Sequence, residues 1–328
     1  MAVFSYKTMQ SELIPHLDTG MHDQQIEIEL ADTSELPVGE RNIRPAHCVV
    51  SSKFLQAAER IHNFTVYEDD VWIVTFPKCG TTWTQEMVWL IDHNLDYETA
   101  RNVNLLQRSI FFELSWIIKK YDGDTLEQVE KLPRPRHIKS HLPLALLPRQ
   151  LWTVKPRIVY CARNPKDVAV SYMHHYRHLH AFQGDNKVFL EALLTNQVLW
   201  CPQVQHTLDF WNIRHRDHVL FLHFEDMKKD LKQIVKQVSE FFKKSFTEEQ
   251  LNQLAHHLSF DTMKENPSAN NSLLVKTLAS VGNRRIDFDF MRKGKTGCYK
   301  DELPSDYITR LQEAIDVQLK GSDFKFRE

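Results

Sequence analysis

The feature that most constrains this chain is a pattern met three times: a short apolar run, a tight polar loop, then an amphipathic helix. Residues 70–76 read Asp-Val-Trp-Ile-Val-Thr-Phe and stop at Pro77, as expected of a strand buried on both faces. From 82 to 95 the apolar residues Trp83, Met87, Leu90 and Ile91 recur at three- and four-residue spacing, which predicts a helix. The unit returns at 157–162, where Asn164 is placed to cap the next helix and Pro165 to open it. It returns again at 219–224, followed by the amphipathic stretch 231–242. Repeated β-to-α units predict an α/β fold with a central, mostly parallel sheet flanked by helices. No internal repeat is visible, and the composition shifts only near residue 45. The expectation is therefore an N-terminal extension over 1–44, interrupted by Pro15 and Pro37 and partly disordered, before a single domain over 45–328.

Charge excludes several partners. Lys and Arg number 41 against 43 Asp and Glu, a net charge of −2, so a surface built for nucleic acid or anionic membrane is not expected. Any polyanion must be met by a local basic site. No stretch approaches the roughly 20 apolar residues of a membrane span, and a signal-peptide pattern is missing, which predicts a cytoplasmic protein. The five cysteines (Cys48, Cys79, Cys161, Cys201, Cys298) contain no Cys-x-x-Cys pair and read as reduced thiols. His174, His175, His178 and His180 crowd one stretch without the carboxylate or cysteine partners of a metal site, so no metal is expected.

In such a sheet, ligands bind where strands end and helices begin. The first loop, Pro77-Lys78-Cys79-Gly80-Thr81-Thr82-Trp83, has the parts of a phosphate cradle: a glycine for close backbone approach, two hydroxyls and a lysine. It lacks the Gly-Lys-Ser/Thr ending of a magnesium-nucleotide loop, which counts against a kinase. Lys139, Ser140 and His141 precede Pro143 and should be extended, with Lys139 and His141 on one face. A lysine there lowers the pKa of the histidine and keeps it a free base.

These loops resemble a known family. The first is similar to the Pro-Lys-Ser-Gly-Thr-Thr-Trp signature of eukaryotic cytosolic sulfotransferases, with cysteine in place of serine at 79. Further blocks follow in that family's order: Lys139-Ser140-His141-Leu142-Pro143, the run from Arg163 to Tyr172, Phe224-Glu225-Asp226-Met227, Ser259-Phe260, and Arg292-Lys293-Gly294 with Gly297. The resemblance covers residues from about 45 to the C-terminus. It implies a P-loop-like sulfotransferase fold and transfer of a sulfuryl group from 3′-phosphoadenosine 5′-phosphosulfate (PAPS) to the hydroxyl of a small lipophilic phenol or alcohol. By that resemblance His141 is the general base of an in-line transfer and Lys78 stabilises the leaving oxygen. Lys139 steadies the sulfuryl oxygens, and Ser171 holds Lys78 back until acceptor arrives. Lys78, Cys79, Gly80, Thr81, Thr82 and Trp83 would hold the 5′-phosphosulfate, and Arg163, Ser171, Arg292, Lys293 and Gly294 the 3′-phosphate. Trp83, Trp200, Ser259, Phe260 and Met263 would complete the adenine side.

The chain also departs from the family. Trp200 stands where tyrosine is usual and Leu258 where threonine is usual. The Lys-x-x-x-Thr-Val dimerisation motif is missing after Lys300, so the family's homodimer is not carried over. Phe111, Phe112, Trp116, Tyr176 and Phe182, with Lys139 and His141, are expected to wall an acceptor pocket. Two other readings stay open: sulfonation as a step toward dehydration of an allylic alcohol, as in the similar insect retinol dehydratases, and a nucleotide or lipophile binder without turnover.

Overall fold

The computed structural model describes residues 3–37, 45–283 and 285–328. In it β1 (Phe4–Thr8), β2 (Gln25–Leu30) and β3 (Cys48–Ser51) form a three-stranded antiparallel sheet. The strands β4 (Val71–Val74), β5 (Ile110–Phe111), β6 (His137–Ser140), β7 (Arg157–Ala162) and β8 (Val219–His223) form a second sheet in the order β5-β6-β4-β7-β8, parallel throughout.

The apolar run at 70–76 becomes the centre of that sheet because both its faces are covered. Trp72 and Val74 belong to one apolar core, Val71 and Ile73 to the other, which is the period of two that an extended chain imposes. Along β7, Ile158 and Tyr160 join the first core and Val159 and Cys161 the second. Helices Thr81–Asp92, Leu231–Phe241 and Glu248–His257 cover one face, and Pro165–Leu179, Gln203–Asn212 and Ser305–Leu319 the other. Fold class and helix starts agree with the sequence reading. The Asn164 side chain accepts from the Lys166 N–H at 3.0 Å, with Pro165 opening the helix behind it. Among the described residues no helix is long and apolar enough to cross a membrane.

Within 3–37 the N-terminal stretch forms an ordered sheet and turn, and residues 1, 2 and 38–44 of the expected extension lie outside the described residues. Its signal was the alternation Gln-Ile-Glu-Ile-Glu-Leu at 25–30, a half-buried strand pattern in which Ile26 and Ile28 turn inward. β2 pairs with β1 on one side and β3 on the other. β3 is tied onward: Trp200 N–H donates to the Val49 carbonyl at 2.6 Å and Val49 N–H to that of Cys201 at 3.0 Å.

Ile28 is fully buried, so the strand contributes to the core of the molecule. Ile28→Ala should lower the unfolding free energy by about 2–5 kcal/mol in a urea titration, the usual cost of such a truncation. A loss below about 0.5 kcal/mol, the surface level, would mean that this strand carries no core packing.

Candidate active site

Register brings the loops together. Val74, at the end of β4, stands opposite Ser140 on one side and Tyr160 on the other, so segments 75–82, 141–143 and 163–165 leave the sheet side by side. In the first segment Lys78 and Gly80 both have positive φ, 68° and 85°. Gly80 is required twice over. A Cβ there would lie 2.8 Å from Phe224 Cδ2, and its backbone conformation is one that side chains resist. Among the described residues no side chain caps helix Thr81–Asp92, so its first N–H groups remain for an anion. Thr81 Oγ1 is 2.7 Å from Thr75 Oγ1, and Thr82 Oγ1 accepts from Asn271 Nδ2 at 2.6 Å.

Arg163, just past β7, locks this loop to a second basic segment. Its Nη1 donates to the Lys78 carbonyl at 3.0 Å and its Nη2 to that of Lys295 at 3.2 Å, with the guanidinium 4.2 Å from the Phe224 ring centre. Beyond, Arg292 and Lys293 both reach Glu302. Burial, helped by Arg163, Lys139 and Arg292, pulls the Lys78 ammonium down to about 7. Lys78 Nζ rests 3.9 Å from the Phe290 ring centre and 3.4 Å from His175 Nδ1.

His141 is held on three sides. Its N–H donates to Glu113 Oε1 at 2.7 Å, its carbonyl accepts from His206 Nε2 at 3.1 Å, and its Nδ1 lies 2.7 Å from the Thr75 carbonyl. A carbonyl oxygen can only accept, so Nδ1 carries the proton and Nε2 is the basic nitrogen. Burial and then Lys139 push the imidazole pKa well below its ordinary value, so the ring is neutral at neutral pH. Glu113 also accepts from Ser140 Oγ at 2.9 Å, so one buried carboxylate steadies two consecutive residues of the loop. Burial drives the Glu113 carboxyl up and the Lys139 ammonium down, each pulling against the other. Lys139 Nζ sits 3.7 Å from the Phe111 ring centre.

One cavity joins these groups, with about 1350 Å³ of space counted out to its mouth. Its lining includes the cations Lys78, Arg163, Lys228, Arg292 and Lys293, the side chains of Trp83, Phe260 and Met263, and the apolar residues Phe111, Leu114, Ile118, Trp200, Leu278 and Phe290 together with Lys139 and His141.

Residues 68–323 match the sulfotransferase domain family. The chain is a member of that family. It is 34% identical over 286 residues to the luciferin sulfotransferase of Photinus pyralis, covering 83% of this chain and 77% of that one. To the mouse sulfotransferase 1A1 it is 35% identical over 276 residues, covering 84% and 92%. A crystal structure of retinol dehydratase in a complex with retinol and PAP superposes with a TM-score of 0.86 at 25% identity, covering 99% of each chain.

Most expected residues of this sulfotransferase-family chain line the cavity: Lys78, Gly80, Thr81, Thr82, Trp83, Arg163, Ser171, Trp200, Phe260, Met263, Arg292, Lys293 and Gly294, with Lys139, His141 and Phe111. Others do not. Cys79 is buried behind the loop, its thiol 4.0 Å from Gln203 Nε2, and Ser259 caps helix Phe260–Glu265. Phe112 packs edge-on against Phe64 and Trp72 in the core, and Trp116 lies beside Lys53. Tyr176 and Phe182 pack against each other and Phe189. Phe112, Tyr176 and Phe182 are buried in the apolar core and Trp116 is partly buried against it, and none of the four lines the cavity. Trp200, expected to stack on adenine, lies against Phe111, His141 and His180 instead. Its φ of 63° and its bond to Val49 accompany a side chain that faces His141. The contact expected between Ser171 and Lys78 is made by His175, one turn further along the same helix.

Sequence reasoning missed Glu113, His175, His206 and Phe290; only the spacing of His175 from Ser171 could have suggested one of them. The crowded histidines are not gathered on one ion: His174 bonds Glu302, His175 meets Lys78, and His180 Nδ1 lies 2.6 Å from His22 Nε2. Elsewhere Asp92, His93 and His137 bring possible ligand atoms within 4.8 Å of one another. There His137 Nε2 already pairs with Asp92 at 2.9 Å, and Arg108 and Arg157 nearby oppose a cation.

The glycine of the first loop offers a direct check. Gly80→Ala should cost more than about 1 kcal/mol of stability, the penalty of a side chain where φ is positive, and weaken sulfate-analogue binding at the helix terminus. Unchanged melting temperature and unchanged anion affinity would show that the loop tolerates a side chain there.

Proposed function

We propose that the protein transfers a sulfuryl group from PAPS to the hydroxyl of a small, uncharged lipophilic alcohol or phenol. One observation carries the reading: a histidine with its proton committed to the Thr75 carbonyl, and so basic at Nε2, lines a cavity whose walls combine a set of cations with a set of apolar side chains. The donor contributes an activated sulfuryl group. Its two separated anionic ends fit two basic groups of this chain: Lys78 with the amides of 81–83, and Arg163 with Arg292 and Lys293. The Gly80 turn, which a Cβ would fill, fits close approach of such an anion.

In this reading His141 Nε2 takes the proton of the acceptor hydroxyl, and Thr75, Glu113 and His206 keep the ring where that transfer requires it. Lys78 stabilises the negative charge that develops on the leaving oxygen, and Lys139 the charge on the transferred group. Phe111, Trp200, Leu278 and Phe290 exclude water from the acceptor and favour an apolar body. A second reading, dehydration of an allylic alcohol by way of its sulfate ester, is supported by the likeness to retinol dehydratase along nearly the whole chain.

Mass spectrometry of products from PAPS with a phenol, a steroid alcohol, a retinoid alcohol and a sugar tests both. A sulfate ester of the lipophilic acceptors supports the first reading, a product lighter than the alcohol by one water the second, and preference for the sugar overturns both. His141→Ala should lower turnover by about 10²–10⁴. Affinity for adenosine 3′,5′-bisphosphate should remain, since the base faces the acceptor.

The pH profile follows from the charges. Lys78, lowered to about 7 by burial and neighbouring cations, is charged below that pH and neutral above it, while His141 stays a free base down to well below its ordinary value. kcat/KM for the donor should therefore hold through mildly acidic pH and fall as pH rises above about 7, since it reports the free enzyme. A profile that instead falls on acidification through pH 6.5 would show that His141 titrates as an unburied imidazole.

A further inference from the structure

The segment carrying Arg292 and Lys293 is fastened to helix Pro165–Leu179 by carboxylates at two points. Asp167 accepts from the Gly297 N–H at 2.8 Å and the Tyr299 N–H at 3.4 Å. Further along, a single carboxylate gathers both cations: Glu302 Oε1 accepts from Arg292 Nη1 at 2.9 Å and Lys293 Nζ at 2.7 Å, while Oε2 lies 2.9 Å from His174 Nε2. Arg292 and Lys293 line the cavity, and Glu302 is not among its lining residues, so the carboxylate stands behind them. The segment also approaches Phe260 closely: a Cβ on Gly294 would lie 2.1 Å from Phe260 Cδ2.

From this placement we infer that Glu302 is a positioning residue for the second phosphate of the donor, holding Arg292 and Lys293 in their binding arrangement before the nucleotide arrives. The inference rests on the PAPS reading given above. Donor counting supports it. A guanidinium has five N–H groups and an ammonium three, so one bond each to Glu302 leaves both side chains able to grip a phosphate. A long flexible lysine and arginine otherwise lose rotamer freedom on binding, and ordering them beforehand lowers that cost. Although burial works against ionisation, the bonds from Lys293, His174 and Arg292 bring the Glu302 carboxyl down to about 2, so the clamp is charged throughout the physiological range. His174 extends it to the helix that begins beside Arg163.

The test is calorimetric titration of the full chain with adenosine 3′,5′-bisphosphate and adenosine 5′-monophosphate. Glu302→Gln keeps the side chain's size and removes its charge. It should raise the bisphosphate Kd about ten-fold and the monophosphate Kd less than about two-fold, the pattern expected if pre-ordering serves one phosphate alone. KM for PAPS should rise with kcat at saturating donor unchanged, a split that general loosening would not give. His174→Ala, which cuts the tie to the helix but leaves the two cations on Glu302, should shift the bisphosphate in the same direction by a smaller factor; it stands in if Glu302→Gln does not fold. Equal shifts for both nucleotides, no shift, or tighter bisphosphate binding would overturn the inference, the last showing that the carboxylate competes with the phosphate. Equal affinity of the unaltered protein for the two nucleotides would instead overturn the PAPS reading itself.

Discussion

Everything in the site depends on β4 being shared. Because β4 is hydrogen-bonded to β6 on one side and β7 on the other, and Val74 is level with both Ser140 and Tyr160, three chain segments emerge at one height. Lys78, His141 and Arg163 then need only a few residues each to reach a common space. A slip of one residue in either pairing would invert every side chain of that strand, carrying apolar residues from one core to the other. The burial of β4 on both faces is what prevents it.

The second organising theme is how acidic groups are placed around a basic cavity. Asp167, Glu113 and Glu302 each use their oxygens on backbone or side-chain partners that shape the walls. Among the described residues none of these three carboxylates pairs with Lys78 or Arg163, and Lys78 feels its cationic neighbours, which reinforce the effect of burial. A site of this kind favours an anion that brings charge at two points over one that brings it at one.

Legibility followed the range of the interaction. The strands at 71–74 and 157–162 and the cap at Asn164 are local patterns, and they stand where the residues predict them. The blocks at 78–83, 139–141 and 163 lie at or just past strand ends, and residues of all three line the cavity. What escaped was set by contacts distant along the chain. Glu113 meets His141 across 28 positions, and no local pattern marks it. Trp200 is bonded to β3, whose pairing partner β2 went unread. Phe112 and Phe111 are neighbours in sequence with opposite fates, one in the core and one on the cavity, because successive residues of an extended segment face opposite ways.

The cysteine at 79 bears on a different question, sensitivity to oxidants. A thiol in a phosphate loop beside Lys78 and Arg163 invites the idea of a reactive thiolate, since cations normally favour that form. Here Cys79 is 1% exposed, and burial together with Cys161 raises its pKa well above the ordinary thiol value in spite of Arg163. Buried and with little thiolate, the cysteine that stands here in place of serine adds a sulfur to the loop without adding a redox switch. Cys298 differs: it is partly exposed and lines the cavity on the segment that follows Arg292. Of the two thiols it is therefore the one that an oxidant or alkylating reagent reaches first, with the sulfur of the first loop left untouched.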